Sequence, residues 1–379
     1  MNQSFFLIVE PGLEELALAE LEKLSQHFSL SLTEIKIVKG GLEFQGETSD
    51  VLALQPYLKI SSRLLMRLMN FRCKDMPKLF QKLSAYPWRH FLVDKNFQVK
   101  ASSTKSRLKH TGKLEEVLRE AVALSLKQQA PKKRKTSDIP PAVYLRVEED
   151  EAFVSLDASG QALYERDLLK KSGHRAALKT HYAAATLLGL KEVFKEHKSV
   201  ELIDPMCGSG TFLTEAMDFS KPHAREYASD FWAEDSQKPL LKNFDHSPLA
   251  LWPELSLIGN DLSSVYLKNK TFNSHDIKFL NQDAFELNLP PKTHGKTRLI
   301  ISNPPYGSRL AKTFAVKDLL ELYRHKLEAD GVALVCPRSW DFEKLVLPKQ
   351  LIAKYQFRNG GLAVQALIIN FQASSSFNE

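Results

Sequence analysis

The spacing of apolar positions changes character near the middle of the chain. Residues 4–10 read as a strand, and Leu13, Leu16, Leu21 and Leu24 give the stripe of an amphipathic helix over Gly12 to Leu24. Strand-like runs at Leu30–Val38 and Gly41–Phe44 meet at Gly40-Gly41, a hairpin signal. Residues 50–60 look helical, Leu64–Phe71 strand-like or mixed, and Asp75–Leu83 a short helix. A strand at Phe97–Ala101, a long helix at Lys113–Gln129 and a hairpin of Val143–Val147 with Ala152–Asp157 complete this half. Small α and β units in this rhythm predict an α+β module.

From His181 onward the rhythm becomes βαβ. An Ala/Leu-rich helix over His181–Glu196 precedes strands at Val200–Ile203, Ser256–Gly259, Lys278–Leu280, Leu299–Ser302 and Gly331–Cys336. Helices at Thr211–Met217, Ser263–Ser274 and Val316–Glu328 fall between them. Such alternation predicts a parallel sheet covered on both faces. The tail reads as strands Ile352–Phe357 and Ala363–Phe371 around Asn359-Gly360-Gly361, so the sheet is expected to end on an antiparallel strand. The stretch from Asp218 to Leu255, with Trp232, Phe244 and Trp252, is too long for a simple connection and reads as an insertion.

Composition narrows the class. A chain of 379 residues with 43% hydrophobic and 26% charged residues is long enough for two or three globular domains. No run of about 18 apolar residues is present, and Phe5 to Val9 is too short for a secretion signal. Cys73, Cys207 and Cys336 are too few and scattered for a disulfide framework or a zinc site. These features fit a cytoplasmic protein that needs neither membrane nor metal. The net charge is +7, and twelve Lys/Arg against three Glu lie between Lys95 and Lys135, so the rest of the chain is net acidic. A concentrated basic region is the footprint of a nucleic-acid-binding module. Within it, Lys105, Arg107, Lys109, His110 and Lys113 precede the long helix, and Lys132, Lys133, Arg134 and Lys135 form a basic break closed by Pro140-Pro141.

Two loops carry candidate chemistry. Asp204-Pro205-Met206-Cys207-Gly208-Ser209-Gly210 joins an apolar strand to a helix start, where its glycines permit close backbone approach to a ligand. It lacks the Gly-x-Gly-x-x-Gly of dinucleotide sites and the Lys-Ser/Thr pair of a triphosphate loop. Asp261 and Asp283 follow the next two strands, placed to accept ribose hydroxyls and an adenine amine respectively. Singly, each Asp reads more readily as a turn or cap residue than as a ligand contact; three at successive strand ends point to a nucleoside cofactor. The second loop, Asn303-Pro304-Pro305-Tyr306, follows an apolar strand. An Asn oxygen and a Pro carbonyl on a stiff loop accept both hydrogens of an exocyclic amine, while Tyr306 stacks on the base. Adenine N6, cytosine N4, guanine N2 and a glutamine amide all present such a nitrogen; the basic N-terminal module favours RNA.

With these motifs in hand, the chain resembles the S-adenosylmethionine-dependent class I RNA methyltransferases that carry a THUMP domain, most of all the guanine-N2 methyltransferases of bacterial large-subunit rRNA. Pro11-Gly12-Leu13-Glu14-Glu15-Leu16 and Lys39-Gly40-Gly41-Leu42-Glu43-Phe44 resemble that family's ferredoxin-like opening, and Ser106 to Gly112 its THUMP signature. Leu156 to Gly160 and Leu178 to Ala185 resemble the approach to its catalytic domain. The resemblance implies a ferredoxin-like segment at 1–60, a THUMP domain at 61–160 and a Rossmann-like methyltransferase domain at 161–379. It implies S-adenosylmethionine as cofactor, RNA as partner (rRNA, with tRNA as the alternative) and a monomer. Several relatives carry a second methyltransferase domain, so a single-activity version is expected here. Thr180-His181-Tyr182 departs from the Glu-Thr-Leu often found in the family at this point. A DNA amino-methyltransferase and an RNA-binding protein without catalysis are the competing readings.

Overall fold

The computed structural model describes residues 2–92, 96–128, 140–166, 178–223, 225–232, 247–263, 277–306, 315–342 and 344–373. Contacts divide the chain into two units, each built on a seven-stranded sheet. The expected helix at Ser263–Ser274 and the basic run Lys132–Lys135 lie outside the described residues.

The first unit comprises Met1–Val9, Phe28–Leu163 and His223–Phe244. Its strands are β1 (Asn2–Ile8), β2 (Thr33–Val38), β3 (Gly41–Glu47), β4 (Arg63–Arg72), β5 (Gln98–Thr104), β6 (Ala142–Glu148) and β7 (Glu151–Asp157), in the order β2-β3-β1-β4-β7-β6-β5. The expected boundary at 60/61 falls inside this sheet, because β1 pairs with β3 on one side and β4 on the other, Phe5 facing both Phe44 and Met66. Residues from both sides of that boundary therefore share one sheet. Helix α2 (Thr48–Ala53) follows β3, and two further helices, α3 (Met76–Ser84) and α4 (Thr111–Gln128), pack together beside β5. Asp75 caps α3 by accepting the Lys78 N–H at 2.8 Å. Arg67 spans the rings of Phe6 and Phe153, 4.4 and 5.1 Å from their centroids, and pairs with Glu43 at 2.7 Å.

The insertion after Asp218 adds to this first unit. His223 donates its N–H to Pro56 O at 2.8 Å, Gln55 Nε2 donates to Ser229 Oγ at 2.9 Å, and Trp232 meets Phe91 edge-to-face at 5.8 Å. A stretch placed by sequence among the βαβ elements thus completes the N-terminal unit.

The second unit comprises Glu10–His27, Tyr164–Pro222 and Asp245–Glu379. It takes helix α1 (Glu14–His27) from the N-terminal stretch, and α1 packs on α5 (Thr180–Val193). Gly12 explains the entry of α1: its φ is +97°, and a Cβ there would stand 1.9 Å from Gln356 O. Only glycine fits such an approach. Helix α5 is buried along Thr180 to Leu190, as expected of a helix apolar all round.

The remaining strands are β8 (Ser199–Asp204), β9 (Glu254–Asn260), β10 (Ile277–Leu280), β11 (Thr297–Ser302), β12 (Gly331–Pro337), β13 (Leu351–Asn359) and β14 (Leu362–Asn370), in the order β10-β9-β8-β11-β12-β14-β13. Strands β8 to β12 run parallel, and β14 enters antiparallel between β12 and β13. This is the Rossmann-like sheet with an antiparallel last strand that the pattern predicts. The chain moves outward from β8 to β10 and then returns to β11 on the other side of β8. The topological switch point therefore lies between β8 and β11, where open α/β sheets bind ligands. Helix α6 (Thr211–Met217) follows β8, and α7 (Val316–Glu321) leads into a π turn, Leu322–Lys326, rather than continuing as α-helix to Glu328.

Candidate active site

The switch point brings the two candidate loops side by side. Ile203 pairs with Ile300, so Asp204 and Ser302 end adjacent strands, and the loops 204–210 and 303–306 leave from the same edge. Asp204 is buried, and its Oδ1 accepts the Met206 N–H at 3.2 Å. The Cys207 N–H donates to Asn260 O at 2.8 Å. Gly208 and Gly210 take left-handed φ values of +50° and +77°, and Gly210 caps the N-terminus of α6. A Cβ on Gly208 would meet no atom within 4 Å, so the backbone there borders open space.

The neighbouring strand ends are tied to this loop. Asp261 accepts the Gly208 N–H at 2.7 Å through Oδ2 and the Ser263 N–H at 2.8 Å through Oδ1. Each carboxylate oxygen retains a second acceptor site, so Asp261 can still receive a hydroxyl hydrogen. Asp283 accepts the Phe285 N–H at 2.9 Å and caps a short 3-10 turn. The plain cap reading of an Asp therefore holds at this position, alongside its strand-end placement.

Asn260, which sequence reasoning passed over, holds the arrangement together. Its side chain is fully buried; Nδ2 donates to Pro205 O and Gln282 O, each at 3.0 Å, and Oδ1 accepts the Gln282 N–H at 3.1 Å. One amide thus links the loops after β8, β9 and β10. The signal was a polar residue closing the apolar run Leu257-Ile258-Gly259.

At the end of β11, Asn303 Oδ1 is buried without a hydrogen-bond partner among the described residues. Buried acceptors are normally paired, and leaving one unpaired costs roughly 1–3 kcal/mol. Pro304 is buried and Pro305 exposed. Tyr306 is also buried, with its ring edge-to-face against Trp340, centroids 6.4 Å apart and planes at 81°. The sequence reading has this ring presented for stacking on a base; in the structure it meets Trp340 in the edge-to-face packing that ring quadrupoles favour.

The departure at 180–182 is filled by packing. Thr180 Oγ1 donates to Tyr164 O at 2.5 Å, and Tyr182 OH donates to Arg358 O at 2.6 Å. His181 is buried between the Tyr164 and Tyr182 rings, at 4.5 and 3.9 Å. Burial, with Lys179 and Arg166 nearby, pushes its pKa down to about 3. Arg166 itself forms a buried bidentate pair with Glu215, at 2.7 and 3.1 Å.

In the first unit, three of the five predicted phosphate contacts already face carboxylates. Lys105 pairs with Glu149 at 3.4 Å, Arg107 with Asp150 at 3.8 Å, and Lys113 with Glu116 at 2.9 Å. The Arg107 N–H, helped by Ser106, holds the Asp150 carboxyl below its usual range. Lys109 and His110 are exposed beside them, ahead of α4. No helix among the described residues is long and apolar enough to cross a membrane.

Comparisons with known proteins agree with this geometry. The chain is 26% identical over 342 residues to ribosomal RNA large subunit methyltransferase K/L of Methylococcus capsulatus, covering 86% of this chain and 44% of that protein. It thus spans less than half the length of that curated relative. A solved structure from Clostridium difficile 630, described as a possible methylase, superposes with a TM-score of 0.72 at 21% identity over 98% of each chain. The structure of SMU.472 in complex with SAH gives 0.72 at 20% identity, over 98% of this chain and 99% of the other. At such identities these two likenesses establish the fold. The family described as UPF0020, RMKL-like methyltransferase domain, matches residues 169–364, and the chain belongs to this methyltransferase family.

Proposed function

We propose that the protein is an RNA methyltransferase that uses S-adenosylmethionine to methylate the exocyclic N2 of a guanosine, with large-subunit rRNA as its substrate. The observation that carries this reading is the buried Asn303 Oδ1 at the switch point, without a partner among the described residues, beside a glycine loop bordered by open space. The name of the Methylococcus relative supports rRNA, and the basic stretch of the first unit supports RNA in general.

The residues present fit the cofactor. Asp204 through Gly210 would hold its methionine end, Asp261 its ribose and Asp283 its adenine. When bound, S-adenosylmethionine supplies an electrophilic methyl group on a sulfonium. The protein's task is then to make an aryl amine nucleophilic. Asn303 Oδ1 and the Pro304 carbonyl accept the two amine hydrogens and draw the nitrogen toward tetrahedral geometry, which localises its lone pair. The two prolines restrict the loop, so little ordering remains when the base arrives. Tyr306, with Trp340 behind it, walls the place of the base. A base in helical RNA is stacked, so the target is unpaired or flipped out.

The segment 61–160 acts in this reading as the THUMP domain that grips RNA through phosphates. Its exposed ion pairs contribute little stability and exchange readily for phosphate. Methyl transfer from labelled S-adenosylmethionine to rRNA, tRNA and duplex DNA tests the proposal. Label in rRNA is expected, label in tRNA alone moves the substrate, and label in DNA alone overturns the reading.

A further inference from the structure

One polar residue interrupts the apolar run of β14 from Leu362 to Ile369: Gln365, 3% exposed, paired across the sheet with Cys336 of β12 and Gln356 of β13. Its Nε2 donates to Trp340 O at 3.1 Å, while its Oε1 has no partner among the described residues. Methionine would fill a similar space without burying an amide, so packing alone does not call for glutamine. Residues 363 and 364 hold the same short strap. Arg338 N–H donates to Ala363 O and Arg338 Nε to Val364 O, each at 3.2 Å. Three consecutive residues of β14 thus tie down Arg338 to Trp340, the segment that leaves β12.

The strap stands beside the proposed amine site. Ser302 ends β11 and pairs with Leu334, so β12 runs on to Pro337 and delivers the strap past the root of the Asn303 loop. The Trp340 ring meets Tyr306 there. Arg338 is exposed, and Val364 O takes one of the five donors of its guanidinium. No carboxylate among the described residues pairs with it. Asp341, the nearest acid in sequence, is taken by Lys344 at 2.7 Å. From Arg338 to Arg358 the sequence carries five Lys/Arg against two acids, a basic stretch in a chain that is net acidic outside 95–135. A guanidinium fixed at its backbone and at Nε loses little further freedom when it meets an anion.

Resting on the function proposed above, we infer that the strap is a second RNA contact, carried by the catalytic unit itself. Arg338 grips a backbone phosphate of the single strand next to the target nucleotide, and Trp340 lies against that strand. Gln365 is the positioning residue that holds the strap in place. The first unit then supplies the diffuse attraction, and the strap sets which nucleotide reaches Asn303.

Binding of the full chain to an unstructured RNA oligonucleotide, titrated with salt, tests this without catalysis. Arg338→Gln should raise Kd about fivefold and reduce the slope of log Kd against log salt by about 0.7, the share of one phosphate on a single strand. Lys198→Gln, exposed ahead of β8 at the opposite end of the strands, should change neither. Trp340 is the one tryptophan of four that is not buried. RNA should therefore quench the wild-type emission, and Trp340→Phe should lose that quenching. Gln365→Met should raise acrylamide quenching of Trp340 about twofold and weaken RNA binding, and joining it to Arg338→Gln should cost less than the product of the single losses. An unchanged slope in Arg338→Gln, or an equal loss in Lys198→Gln, would overturn the phosphate contact. Emission unchanged by RNA would overturn the part of Trp340, and multiplicative losses in the double variant that of Gln365. A wild-type chain that binds no RNA would overturn the proposed function as well, whereas binding with an unchanged slope overturns this inference alone.

Discussion

Two sets of charged groups, one in each unit, behave in opposite ways. In the second unit, two arginines are buried and fully engaged: Arg166 with Glu215, and Arg298 with Glu201 at 2.6 Å and with the carbonyls of Leu327 and Pro290. In the N-terminal unit, the cations of the predicted RNA contacts stand exposed, with carboxylates as exchangeable partners. At the candidate active site the group that awaits a partner among the described residues is a buried acceptor, Asn303 Oδ1; in the first unit it is a diffuse surface charge. The difference separates two tasks. Activating one nitrogen needs a preorganised, water-poor position, whereas holding a polyanion needs many weak contacts that salt can displace.

The sharpest way to break this contrast is to cut one ion pair of each kind. Glu215→Ala strands the buried Arg166 charge and should cost about 3–5 kcal/mol in urea unfolding. Glu149→Ala, cutting an exposed pair, should cost less than about 1 kcal/mol. Equal costs would erase the distinction. Next in size, Asn303→Ala should lower kcat by about a hundredfold or more, by analogy with removing one group of an oxyanion hole, while calorimetry finds cofactor binding nearly intact. Loss of both together would make the loop structural.

Acid tests the buried side again. His181 titrates at about 3 in the fold, below its ordinary value, so the unfolded chain binds its proton first. The stability it contributes is complete above about pH 6.5 and drains as pH falls toward 3, by on the order of a few kcal/mol. His181→Phe should flatten the acid limb of a Tm-against-pH curve; an unchanged limb would contradict the burial argument. The smallest effect belongs to the exposed side. Neutralising Lys105, Lys109 and Lys113 together should weaken RNA binding about tenfold and reduce the salt slope by about two to three units. An unchanged slope would remove these residues from the interface.

Much of this was legible in the sequence because local pattern and tertiary role agree there. The βαβ rhythm, the Asn359-Gly360-Gly361 hairpin and the two loops at one sheet edge all follow from periodicity and turn chemistry. What escaped depends on contacts distant in sequence. Helix α1 reads as part of the N-terminal module, yet Gly12 sits on Gln356 O and the helix joins the catalytic unit. The insertion after Asp218 reads as catalytic and completes the other unit through Ser229 and Trp232. Periodicity reports which face of an element is apolar, but not which partner covers it. Asn260 escaped for a related reason. A buried polar side chain looks like any other until its partners, or their absence, are in view.

In the proposed function, Asn303 at the switch point activates a guanine amine of RNA. Its most direct test is nucleoside mass spectrometry of rRNA incubated with labelled S-adenosylmethionine and either the wild-type chain or Asn303→Ala. Label is expected on guanosine N2 with the wild type and at least about a hundredfold less with the variant. Label on another nitrogen, or equal labelling by the two proteins, would contradict it.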